Sequence, residues 1–192
     1  MIQFDEELAK RGIDVYMYDY TIDSLPFQNI KFHWKKIGIA GKSSKEKNLK
    51  TLEELLIENN HIYLENMILK LDVSNWEWES LVNLPEYILK KFKYILIEFH
   101  FFNPNTDGKL YYQVLKKIHK FHQSFYFRCN GRDEIVSFGN NRICKFIEVS
   151  YIRRDNYNFV KDDSILPLFE FDWEDYKQNG KEEMEVIILF FL

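Results

Sequence analysis

The chain has 192 residues, a length that fits one domain of residues 1–192 with a substantial buried core. Apolar residues make up 46% and aromatic residues 17%, which excludes disorder, since disorder needs low hydrophobicity. The net charge of −4 carries no basic footprint, so no nucleic-acid partner is expected. No apolar run approaches the roughly 20 residues of a membrane span, and the start, Met-Ile-Gln-Phe-Asp-Glu-Glu, is not a signal peptide. A cytoplasmic protein is expected. Two cysteines, Cys129 and Cys144, are too few for a disulfide framework or a four-cysteine zinc site, and they read as buried free thiols.

In chain order, Phe4–Arg11 reads as a helix stopped by Gly12, and residues 13–21 as a strand closing on Asp19. Residues 30–41 form a further strand, broken near Lys35-Lys36. The lysine- and serine-rich stretch that follows is a surface loop. Thr51 and Glu54 have capping-box spacing ahead of Leu55, Leu56 and Ile57, so a helix starts at about Thr51. "MILKLD" is a strand, Trp76–Phe92 is helical with a break at Pro85, and residues 93–102 return to strand. Thr106 or Asp107 caps the next helix, whose apolar stripe is Leu110, Val114, Leu115, Ile118 and Phe121. "SFYFRC" and "RICKFIEVSYI" read as strands, and "EVIILFFL" closes the chain as a strand-length apolar run. Alternation of strand and helix predicts an α/β fold with a sheet that is parallel in its middle.

In such sheets ligands bind beyond the carboxyl ends of the strands. Asp19, Asp72 and Glu98 stand at or near that edge, with His100 on the same strand face as Glu98. Converging acids can hold polar groups of a substrate or serve as a general base. The competing role for Asp72, or for Ser74, is to cap the helix that carries Trp76. Trp76 and Trp78 cannot face the same way on that helix, so one belongs to the core and the other to the rim of a cleft. His119 and His122, at i and i+3, share a helix face, a spacing that metal sites use. They lack an evident third ligand, so no metal site is expected.

The segments "VYMYDYTID", "LKTLEELL", "MILKLDVSNWEWESL" and "YILIEFH" resemble, in order and spacing, the FkbM-type S-adenosylmethionine-dependent methyltransferases. "NN…FIEVSYIRRD" resembles the end of one bacterial branch of that family. The similarity runs from about Phe4 to Arg154, and "LKLDVSNWEWE" is its most specific part. It implies a Rossmann-like methyltransferase three-layer sandwich, a mostly parallel sheet with antiparallel C-terminal strands. S-adenosylmethionine is the implied cofactor, with Asp19 on its ribose and Ile39 and Ala40 near its adenine. The implied reaction moves a methyl group to an oxygen of a small polar or sugar-like acceptor, with Asp72 facing the methyl group. Glu77, Glu98 and His100 are the candidate bases.

Three departures accompany the resemblance. The family's first strand and glycine-bearing loop have no counterpart ahead of "FDEELAKRG", so a fold with its first strand missing is expected. Asp72-Val73-Ser74-Asn75 stands where the family has Asp-x-Glu-Gly, and Arg128-Cys129-Asn130-Gly131 where the branch has His-x-Asn-Asn. A non-catalytic binding module and a fragment of a longer enzyme are therefore the competing readings. "EVIILFFL" is expected either to fill the place of the absent central strand or, left uncovered, to promote self-association.

Overall fold

A computed structural model describes residues 3–73, 76–100, 108–129, 135–138, 141–155 and 157–160. The C-terminal run 185–192, Ser74 and the segment 101–107, with Thr106 and Asp107, lie outside them.

Helix α1 (Gln3–Lys10) ends as its sequence requires. Gly12 takes φ +81°, a left-handed conformation that a Cβ disfavours. The amides of Gly12 and Ile13 then return to the carbonyls of Ala9 and Leu8 at 2.9 and 3.1 Å. Strand β1 (Val15–Tyr18) follows and pairs in parallel with β2 (Phe32–Lys35). The break near Lys35-Lys36 is real: β3 (Gly38–Ile39) is a separate short strand, parallel to β4 (Leu49–Lys50). Helix α2 (Leu52–Glu58) opens with the capping box read from the sequence. Thr51 Oγ1 accepts the Glu54 amide at 3.2 Å, and Glu54 Oε2 accepts the Thr51 amide at 2.8 Å.

Strand β5 (Met67–Leu71) leads into α3 (Glu77–Asn83) and α4 (Glu86–Leu89), split at Pro85 because proline lacks an amide hydrogen for the helix to use. Strand β6 (Phe92–His100), α5 (Lys109–His119) and β7 (His122–Cys129) follow. The single strand expected over 142–152 is two, β9 (Asn141–Cys144) and β10 (Phe146–Arg153). β9 forms an antiparallel hairpin with β8 (Ile135–Phe138), whereas β10 joins a different sheet.

That sheet has the order β5-β6-β10-β7. β5 and β6 are parallel, and β10 runs antiparallel to both β6 and β7. The architecture is thus mixed α/β. Among the described residues β1 and β2 form a sheet of their own, with no ladder to β5.

Leu69 and Leu71 of β5 and Ile95, Ile97 and Phe99 of β6 are buried on one face of the sheet. There they meet Leu81 of α3, Ile88 of α4 and Val114 and Ile118 of α5. Each such aliphatic burial contributes roughly 1.5–3 kcal/mol. The predicted α5 stripe is core: Val114 and Ile118 are buried, while Leu110, Leu115 and Phe121 pack against the cluster. On the opposite face Lys70 reaches α1, 3.9 Å from Asp5 Oδ2 and 5.7 Å from the Phe4 ring centroid.

Two further expectations fail. Helix α5 stops at His119 and His122 begins β7, so the two histidines do not share a helix face. Cys144 is disulfide-bonded rather than a free thiol. No helix among the described residues is long and apolar enough to cross a membrane.

Candidate functional site

Because β5 and β6 are parallel neighbours, their carboxyl ends lie at one edge of the sheet. The ladder pairs Leu71 with Ile97, and the next step along it sets Asp72 beside Glu98. Two residues further on β6, His100 shares the face of Glu98. Ligand atoms of Asp72, Glu98 and His100 all lie within 4.8 Å of one another, and His100 Nε2 is 3.7 Å from Asp72 Oδ1.

Glu77, the first residue of α3, is fully buried behind the imidazole. Its Oε1 lies 2.6 Å from His100 Nδ1 and accepts the backbone N–H of Val73 at 3.2 Å. Burial of His100 by itself lowers its pKa. The hydrogen bond to Glu77 and the charges of Glu77, Glu98 and Asp72 outweigh that, and the imidazole pKa is raised above its ordinary value. The ring is 12% exposed and meets Phe146 edge-on at 5.1 Å.

Trp78 fixes the strand end from the other side. Its indole stacks on Phe99 at 4.4 Å and donates from Nε1 to the His100 carbonyl at 3.0 Å. It is the core tryptophan of the pair; Trp76 is partly exposed at the start of α3. No side chain caps α3 among the described residues, so Asp72 is not its cap and its half-exposed carboxylate faces His100 instead.

The acidic row continues across the sheet. Glu148 of β10 is the cross-strand neighbour of Glu98, and Arg128 of β7 holds both oxygens of Glu148 at 3.0 Å. Sequence reasoning did not single out Glu148. It becomes visible only once the antiparallel register of β6 and β10 is known.

The expected cofactor residues are spread along a neighbouring path. Asp19 follows β1, and its Oδ1 accepts both the Thr21 amide and hydroxyl at 2.7 and 2.6 Å. Oδ2 has no partner among the described residues. No hydrogen bond or ion pair described joins Asp19 to the Asp72–His100 cluster. Tyr20 lies over Gly38, where an added Cβ would come within 2.7 Å of its ring. Gly41 is pressed against the Glu79 carbonyl of α3, which a Cβ would approach to 2.5 Å. The segment 38–41 therefore runs from the Asp19 turn to the helix that carries Glu77. Ile39 is partly buried against the core, and Ala40 is 1% exposed, so its side chain packs inward and offers no open face.

Comparisons with protein-family models, with curated proteins and with solved structures find no match.

Proposed function

We propose that the chain is an FkbM-type, methyltransferase-like domain that moves a methyl group from S-adenosylmethionine to an oxygen of a small polar or sugar-like acceptor. The observation that carries this reading is the convergence of Asp72, Glu98 and His100 at the carboxyl edge of two parallel strands, with Glu77 buried behind the imidazole. That edge is where open α/β sheets bind ligands. The sheet, with parallel β5 and β6 and an antiparallel β10, is compatible with a Rossmann-like methyltransferase sandwich.

The cofactor supplies an electrophilic methyl on a sulfonium. The chain's part is to bind, align and handle the acceptor proton. Asp19 suits a ribose hydroxyl, because one carboxylate oxygen is committed to the Thr21 turn and the other is open. Ile39 can flank an aromatic base, whereas Ala40 supports the segment from beneath. Alignment of acceptor oxygen and methyl is the larger contribution to such a transfer, and the carboxylates and imidazole of the cluster supply acceptors for the hydroxyl proton.

The second reading, a non-catalytic module or a part of a longer enzyme, draws support from one observation. Among the described residues no ladder joins the β1–β2 pair to β5, between which the family's first strand and its glycine loop are expected. Calorimetric titration with S-adenosylhomocysteine separates the two readings. Saturable one-to-one binding supports the methyltransferase; its absence rejects it in favour of the module.

A further inference from the structure

The geometry points to a divalent-cation site formed by Asp72, Glu98 and His100 at the carboxyl ends of β5 and β6. Two donors on opposite sides of one transition-metal ion, each about 2.0–2.2 Å from it, stand at most roughly 4.4 Å apart. His100 Nε2 and Asp72 Oδ1 are already within that span at 3.7 Å, and the whole set lies within 4.8 Å. The set therefore exceeds the span of a single ion by no more than about 0.4 Å.

The surroundings of the imidazole give the cluster its metal-like character. Ligating histidines characteristically give their second nitrogen to a carboxylate, which fixes ring orientation and tautomer. Here Nδ1 is held at 2.6 Å by Glu77, a residue with no exposed surface whose carboxylate is itself fixed by the Val73 amide. Nε2 is thereby turned toward Asp72. The Phe146 ring and the Trp78 bond to the His100 carbonyl hold the strand end in place. All three donors thus sit on or directly beyond adjacent parallel strands, not on a long loop, so little ordering is left for binding to accomplish.

Donor chemistry selects the ion. One imidazole and two carboxylates suit Mn²⁺ or Zn²⁺, whereas Mg²⁺ and Ca²⁺ favour all-oxygen surroundings. Three protein donors leave positions for water or for an acceptor hydroxyl. The inference rests on the proposed function only in placing the acceptor oxygen beside the ion; cation uptake is independent of the cofactor.

The test is a Mn²⁺ titration of the full chain without cofactor, followed by the loss of the free-ion signal in electron paramagnetic resonance. We expect one saturable site, and in Asp72→Asn and Glu98→Gln a loss of affinity of at least about tenfold. Thermal melts check that the variants fold; Asp72→Asn, at a half-exposed position, decides the matter if Glu98→Gln does not fold. Absence of saturable uptake by the wild type, or equal uptake by folded Asp72→Asn, overturns the site. Mn²⁺ binding without S-adenosylhomocysteine binding would sink the methyltransferase alone, and the reverse result would sink the cation site alone.

Discussion

His100 Nδ1 and Glu77 Oε1 lie 2.6 Å apart, and Glu77 has no solvent-exposed surface. Two groups that each prefer water are thus held together inside the protein, at the junction of β6 and α3. Removing one member of such a pair strands the other, which costs more than the pair itself is worth. Glu77→Ala also deprives the Val73 amide of its acceptor. The expected loss is roughly 3–5 kcal/mol in urea unfolding, with a smaller loss for Glu77→Gln, whose amide oxygen still accepts. An alanine variant as stable as the wild type would show that the pair contributes nothing to the fold.

Asp19→Asn tests the cofactor side. Asparagine retains the oxygen that the Thr21 amide and hydroxyl use, so the turn and the folding free energy should be unchanged. The charge is lost. Affinity for S-adenosylhomocysteine should fall by the worth of a charge-assisted hydrogen bond, roughly 1.5–3 kcal/mol. Equal calorimetric affinities for wild type and variant would remove Asp19 from the site.

Lys117 ties α5 to the last turn of α3, donating from Nζ to the carbonyls of Leu81 and Val82 at 2.9 Å each. Those carbonyls come late in the helix, where intrahelical donors run out and a cation is favoured. Lys117→Met keeps most of the stem and removes the donors. A destabilisation of about 1–3 kcal/mol is expected in chemical denaturation. No change would mean that water serves the two carbonyls equally well.

His122 should make stability pH-dependent. It is fully buried, with Nε2 2.9 Å from the Phe92 carbonyl and no partner for Nδ1 among the described residues. Desolvation is the largest influence and lowers its pKa; the bond to Phe92 opposes this, Arg153 adds to it, and Asp155 and the nearby Ile118 carbonyl oppose it. A depressed folded pKa means that its contribution is whole above the unfolded value of about 6.5. It is lost as pH falls from there toward the folded value, because the unfolded chain then binds the extra proton. His119, beside Tyr151 and near Arg154, is shifted the same way, and His100 the opposite way. The wild type must therefore be compared with His122→Gln, whose stability should decline less between about pH 7.5 and pH 5.5. Parallel declines in the two proteins would show that His122 titrates as an exposed histidine does.

Much of the secondary structure was legible from a few neighbouring residues. Gly12 ends α1, Thr51 and Glu54 open α2, and Pro85 divides α3 from α4, each through a backbone requirement satisfied within one turn. Apolar spacing likewise located Val114 and Ile118 in the core. The division at Lys145 was not legible, because residues 142–152 are continuously strand-like. Only their partners, β8 on one side and β6 with β7 on the other, show that they belong to two sheets. The end of α5 before His122 was missed for a related reason. A helical period carries across a two-residue turn unless a glycine or proline interrupts it, and Lys120-Phe121 supplies neither.

By itself the sequence determined that Asp72, Glu98 and His100 would stand at strand ends, since strand length and side-chain alternation are local properties. Tertiary structure decided what those groups do. The β5–β6 register, set by side chains packing on the helical face, brings Asp72 beside Glu98 although they are far apart in the chain. The seating of α3 against β6 buries Glu77 behind His100, and the insertion of β10 places Glu148 and Arg128 in the same row. Charges along a chain specify a site only when long-range packing fixes their separations, because the energy of a charge pair depends on distance and burial, and neither is a property of sequence neighbours.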